Sequence, residues 1–312
     1  MISRLLVLLV LAALPAWSGA WDARSVAGWV LRSGGAVRLA GGEYLRDLSL
    51  LPAGNLTITG IDFTGTLVEP EQLDRISELT SLEELLVPAY MWNEGAGSRR
   101  DSNDLLANLS GLKNLKRFHV SIHFLEHVQI QDKGLEKIAG LTQLEEMRLA
   151  QTRIKGMGLK PFVNLRSLDM RYSALSDQGM ESLEGMHHLE RLILRDTLVT
   201  DAGIAHVAGL TNLQELDLYG LTLTDEGVRA LAGLKHLRKL NLLGSSVTDT
   251  GAAVLAGLPE LVELNLYRNK ITNAGLAKLA GLKNLQFLDA RYTRVTETGV
   301  AQLRAARPQA II

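Results

Sequence analysis

Residues 213–236 read LQELDLYGLTLTDEGVRALAGLKH, and the spacing of their apolar side chains decides the fold. Counting Leu213 as position 0, apolar residues fall at positions 0, 3, 5, 10, 15, 18 and 21: Leu213, Leu216, Leu218, Leu223, Val228, Leu231 and Leu234. Positions 3 and 5 are two apart, the period of a strand, whereas 15, 18 and 21 step by three, the period of one helix face. Thr224 and Asp225 stand between the two patterns, and both residue types cap helix N-termini. Gly233 stands where the helix should end and a positive φ is tolerated. The segment is therefore a short strand, a turn and a short α- or 3₁₀-helix that runs back to its start. Such a unit cannot bury both faces alone.

The same frame recurs from Ile58, Leu82, Leu115, Leu144, Leu165, Leu189, Leu237, Leu261 and Leu285, giving ten units in all. From Leu165 onward each is 24 residues long; before that the lengths are 24, 33, 29 and 21. Asp177, Asp201, Asp225 and Asp249 share one position, and Gly209, Gly233, Gly257 and Gly281 share another. Stacked units of this kind bury one continuous core. The recurring LxxLxL…TxxTDxGLxxLAGLxxL pattern resembles the leucine-rich repeat of bacterial TDAGL type, related to the ribonuclease-inhibitor-like superfamily. That resemblance implies an α/β fold, a right-handed horseshoe solenoid with a parallel sheet on the concave face and short helices on the convex face. It does not name a ligand. Position 8, where many such repeats carry a laddering Asn, holds Thr152, Ser173, Thr197, Ser245, Asn269 and Thr293, whose side chains are expected to bridge neighbouring turns.

Residues 1–20 have the three parts of a secretory signal: Arg4, the apolar run Leu5 to Leu14, and Ser18-Gly19-Ala20 as a cleavage site after Ala20. The apolar run is too short for a membrane span. Residues 21–57 are read as an N-terminal cap, with an amphipathic helix around Val26, Trp29 and Val30, a Gly34-Gly35 stop and a strand Ala36–Leu39. Trp21 and Trp29 are expected to plug the first repeat. The repeats fill 58–308, and 309–312 finish a C-terminal cap that is expected to be the natural end. The chain has 312 residues, 46% apolar, with no cysteine and a net charge of -1. Disulfides, thiolate metal sites and Cys nucleophiles are thereby excluded. The near-zero charge provides no field for nucleic acid or anionic membrane. The expected mature chain is secreted or periplasmic, monomeric and without a cofactor.

Along each strand, positions 3 and 5 should face the core and positions 2, 4 and 6 solvent. The exposed columns hold eight acids and seven Lys or Arg, a balance unlike the basic stripe that nucleic acid requires. Tyr172, Tyr219, Tyr267 and Tyr292 line one rim at positions 6 or 7, and Tyr and Arg are the types enriched at binding hot spots. The candidate ligand-binding face is thus Asp169, Arg171, Tyr172, Arg195, Asp217, Tyr219, Asn241, Asn265, Tyr267, Asp289 and Arg291, with Tyr90 and Trp92 from the insertion in the second repeat. Asp217 should be dispensable for stability. The competing reading is that these ladders only pair with one another.

No phosphate loop or nucleophile elbow occurs. His123-Phe-Leu-Glu126-His127 matches H-x-x-E-H, and with His119 offers a metal-site alternative. That pattern works only on a long helix, and none is expected there. The expectation is a non-enzymatic scaffold that binds a protein or other macromolecule on its concave face. The alternatives are a metal-dependent hydrolase or metal-binding protein using insertion 119–127, and a surface adhesion or structural protein. The inserted aromatics, Trp92 and Phe124 among them, are read either as a private mini-core or as a recognition platform.

Overall fold

A computed structural model describes residues 21–92, 101–121 and 128–312. The position-3 and position-5 pattern becomes ten short parallel strands: β3 (Ile58–Asp62), β4 (Glu84–Val87), β5 (Arg117–Val120), β6 (Glu146–Leu149), β7 (Ser167–Asp169), β8 (Arg191–Ile193), β9 (Glu215–Asp217), β10 (Lys239–Asn241), β11 (Glu263–Asn265) and β12 (Phe287–Asp289). Each pairs with the next in the register that the repeat frame sets, so Leu216, Leu240, Leu264 and Leu288 lie side by side. All four are at most 2% exposed. Fully burying a Leu contributes about 1.5–3 kcal/mol, and the buried apolar residues form one cluster from Val26 to Leu303. The result is an open sheet with helices packed behind it, a leucine-rich repeat solenoid.

Ahead of β3 the sheet changes direction. Helix α1 (Ala23–Arg32) begins at Asp22, whose side chain accepts from Ser25 N, and Gly34 follows it with φ +83. Strand β1 (Ala36–Leu39) pairs antiparallel with β3, and β2 (Tyr44–Leu45) pairs antiparallel with β1. Trp29 lies 5.2 Å from Phe63, and the Arg75 guanidinium sits over both Trp21 and Trp29 at 4.6 and 4.9 Å. At the other end Ile311 forms a single parallel bridge with Phe287.

The T-D-x-G sequence divides its work between repeats. Thr224 caps its own helix, accepting from Glu226 N at 3.2 Å. Asp225 serves the next repeat: it accepts from Thr248 N, Thr248 Oγ1 and Gly251 N at 2.8, 2.5 and 2.9 Å. Asp177, Asp201 and Asp249 repeat this pattern. A side chain on Gly251 would place its Cβ 2.6 Å from Asp225 Oδ1, so the glycine is required by its neighbour's carboxylate.

Three expectations need correction. Gly209, Gly233, Gly257 and Gly281 do not adopt positive φ; among the described residues that conformation falls instead at position 7 of the repeats and in a few loop glycines. Of the six position-8 residues named above, two bridge turns: Ser245 Oγ donates to Leu221 O, and Asn269 donates to Leu242 O while accepting from Val247 N. Thr152, Thr197 and Thr293 donate to a carbonyl of their own turn, because a hydroxyl reaches back three residues more easily than across a repeat. Asp62, Asp169, Asp217 and Asp289 are not on an open solvent face but are buried at position 4.

Candidate functional site

Position 4 is buried because it builds the turn. Asp217 Oδ1 accepts from Tyr219 N at 3.0 Å, and Asp62, Asp169, Asn241, Asn265 and Asp289 take the corresponding amide two residues on. These Asx contacts close the end of each strand. The remaining carboxylate oxygens are claimed by arginines. Arg171 grips Asp169 through two bonds of 2.9 and 2.6 Å, Arg291 grips Asp289 in the same way, and Arg195 Nη2 reaches Asp217 Oδ2 at 2.7 Å. Arg291 lifts nothing from solvent but holds the Asp289 carboxyl below the usual range, chiefly by its hydrogen bond. Asp169, Asp217 and Asp289 thus support the surface without offering free acceptors to a ligand.

Position 2 forms an alternating-sign ladder. Arg38 and Arg117 both reach Glu84 at 2.8 Å, Arg191 reaches Glu215 at 3.1 Å and Lys239 reaches Glu263 at 2.8 Å. Tyr44 also donates to Glu84, at 2.9 Å. Burial alone would raise the Glu84 pKa, but the hydrogen bonds from Arg117 and Tyr44 outweigh it and lower the value. Half-exposed pairs of this kind contribute roughly 0–1 kcal/mol each. For this column the self-pairing reading holds.

Positions 6 and 7 behave differently. At position 7, Gln151, Tyr172, Asp196, Arg268 and Tyr292 have φ between 50 and 61, and Gly65, Gly220 and Gly244 have φ between 76 and 84. The chain turns there while the amide stays in the ladder: Asp196 N donates to Tyr219 O, Gly220 N to Leu243 O and Arg268 N to Arg291 O. A left-handed conformation costs a side-chain-bearing residue about 1–2 kcal/mol. The rim therefore displays Tyr172, Arg268 and Tyr292 at an energetic cost.

Two Tyr–Arg clusters result. In the first, the Arg195 guanidinium lies 4.8 Å over the Tyr219 ring, and Tyr172 stands on the neighbouring turn, its backbone N–H donating to Arg195 O at 2.8 Å. In the second, Tyr267 and Tyr292 rings are 4.8 Å apart, with Arg291 over Tyr267 at 5.5 Å and Arg268 over both rings at 5.5 and 5.9 Å. Between them repeat 237 contributes Asn241, half-buried Leu243 and exposed Gly244. Arg268 was not anticipated from the sequence. The signal that would have found it is its place in the position-7 column, which only the positive φ values distinguish.

The insertion residues do not join this face. Trp92 is fully buried and packs into the core, so its side chain is withdrawn from the candidate site. Tyr90 is half-buried and donates its hydroxyl to Thr66 O and Val68 O. His119 Nε2 lies 3.1 Å from Glu146 Oε1, and that contact, ahead of burial and with Arg148, brings the Glu146 pKa down to about 2. His123, Phe124 and His127, and the proposed signal at 1–20, lie outside the described residues. Among the described residues no three His, Cys, Asp or Glu side chains are grouped to hold a metal. No described helix is long and apolar enough to cross a membrane.

Comparison with known proteins is consistent with this architecture. Family models described as leucine-rich repeats match residues 235–295, and residues 163–183 and 209–232. No curated protein sequence matches the chain. An internalin from Listeria monocytogenes superimposes with a TM-score of 0.58 at 22% identity, over 76% of this chain and 68% of that one. The leucine-rich repeat ectodomain of a plant membrane receptor kinase from Arabidopsis thaliana, solved in complex with Casparian strip integrity factor 2, gives 0.51 at 18% identity, over 78% of this chain and 28% of that one. At these identities the likeness concerns the fold.

Proposed function

We propose that this leucine-rich repeat chain is an exported, monomeric and non-enzymatic scaffold that binds a protein partner through its concave face. The observation that carries the proposal is the pair of Tyr–Arg clusters, Tyr172/Arg195/Tyr219 and Tyr267/Arg268/Arg291/Tyr292, held on a rigid sheet rim partly by strained backbone. Tyrosine and arginine bring large contact area at modest entropic cost, and strain of this kind collects where a surface is used. The alternating ladders elsewhere on the face are internally paired and would contribute register more than affinity. The plant ectodomain likened above carries its bound factor on the same general fold, which supports a binding role.

The test is capture of partners from an envelope extract of the producing organism by immobilised chain. The double variant Arg195→Ala/Tyr219→Ala should lose the captured partner while its circular dichroism is unchanged; undiminished capture moves the site off this face. Export is tested separately by intact mass. Protein recovered outside the cytoplasm should begin at Trp21, and retention of Met1 there would reject cleavage after Ala20.

A further inference from the structure

The two clusters leave a notch one repeat wide. Its sides are Tyr219 on repeat 213 and Tyr267 with Arg268 on repeat 261; its floor is Leu243 with the bare backbone of Gly244. A Cβ on Gly244 would meet nothing nearer than Gly220 Cα at 4.0 Å, so the space above Gly244 is open, whereas the Asp196 carboxylate covers Gly220, against the place where a Cβ would stand. Adjacent strands are about 4.8 Å apart, so the two tyrosine positions are separated by roughly 10 Å, the width of one inserted side chain between aromatic walls.

The charges at the notch are unequal. Arg291 is neutralised by Asp289. The Arg268 side chain makes no hydrogen bond or ion pair among the described residues; its guanidinium rests against Tyr267 and Tyr292, which orient it while leaving its N–H donors to solvent. Across the notch, Arg195 gives Nη2 to Asp217 while its buried Nε has no hydrogen-bond partner. An exposed arginine held by two rings has already lost much of its rotamer freedom, so a carboxylate that meets it finds preorganised donors. A floor of Leu243 and Gly244, aromatic walls and, on the side away from the Asp196 carboxylate, an unpaired Arg268 guanidinium call for an apolar side chain beside an acid held at Arg268.

We propose that the notch between Tyr219 and Tyr267 receives an apolar side chain of a protein partner, with an adjacent carboxylate of the same segment paired to Arg268. The proposal rests on the concave-face reading above and adds the chemistry of what is recognised.

The probe is a phage-displayed library of random linear peptides selected on the full chain. Selected peptides should share an aliphatic or aromatic residue next to, or one removed from, Asp or Glu. Arg268→Glu should weaken them roughly 10- to 100-fold, the fold-change expected for one charge-assisted hydrogen bond. Arg268→Lys should retain part of the binding. Reselection on Arg268→Glu should replace the acid by Lys or Arg. Peptides that Arg195→Ala/Tyr219→Ala weakens but Arg268→Glu does not would leave the concave reading standing and overturn this one. Peptides indifferent to every concave variant would overturn both. Absence of an acid from the consensus, or a library yielding no binders to the unaltered chain, also overturns the notch proposal.

Discussion

Repeats 165 to 285 and the four before them solve the same stacking problem by different means. In the regular half the core is aliphatic, and an Asp, or Asn273 at the last step, clasps the helix start of the next repeat, with a glycine making room for it. In the irregular half the bonds are improvised. Asn103 takes the Asp part toward Gln131 N, Asp132 accepts from Lys155, Gly156 and Gly158, and at the 21-residue repeat the Lys155 carbonyl alone receives Ser176 N. That half also contains the four largest fully buried side chains, Trp92, Phe63, Phe118 and Phe162. Where repeat length varies, directional bonds cannot be reused unchanged, and bulky side chains fill the uneven space.

The difference can be broken most forcefully at Trp92. Trp92→Ala should cost about 3–5 kcal/mol in chemical denaturation, and hydrogen exchange should accelerate first within residues 58–164. Acceleration spread evenly over both halves would mean that the two are not separable units. The corresponding test of the regular half is Asp225→Ala, which strands the amides of Thr248 and Gly251 and should cost about 1.5–3 kcal/mol. Asp217→Ala, first expected to be silent, belongs in the same range because Tyr219 N and Arg195 lose their acceptor. A loss below about 0.5 kcal/mol for either would show that solvent replaces these bonds freely.

Acid should distinguish the halves more gently. Glu146, lowered from 4.5 to about 2, stabilises the folded chain above about pH 4.5, and that contribution fades as pH falls toward about 2. Glu146→Gln should therefore flatten the acid limb of a stability–pH curve between those values, with its stability deficit largest above about pH 4.5 and fading toward about pH 2. An unchanged limb would assign the acid sensitivity to carboxylates other than Glu146. The smallest effect concerns the strained rim: Arg268→Gly should raise stability by about 0.5–1 kcal/mol, by relieving the left-handed conformation, and still weaken binding. Stability and binding falling together would deny that the rim is held at a cost.

The period, strand phase and core were legible in the sequence because apolar spacing reports burial within one repeat: Leu216, Leu218 and Leu240 are all buried as read. What the spacing hides is which repeat a polar side chain serves. Asp225 beside Thr224 looks like a second cap for the same helix, since a bond to the next turn leaves the same regular signature. Asp217 looked exposed because alternation gives direction and not depth; Arg195 and the turn amide cover it. Position 7 was invisible because Gln, Tyr, Asp, Arg and Gly all occupy it. Trp92 could be read either way until its surroundings were known.

The clasping carboxylates have a direction. Asp177 precedes the Thr200 and Gly203 amides that it receives by 23 and 26 residues, and the order is the same at every later step of the ladder. A chain leaving the ribosome N-terminus first therefore always presents the acceptor before its donors emerge. Each new repeat arrives at a surface already fitted to start its helix, so the order of synthesis and the order of assembly coincide, and an interrupted chain would end on a finished repeat with one carboxylate still waiting.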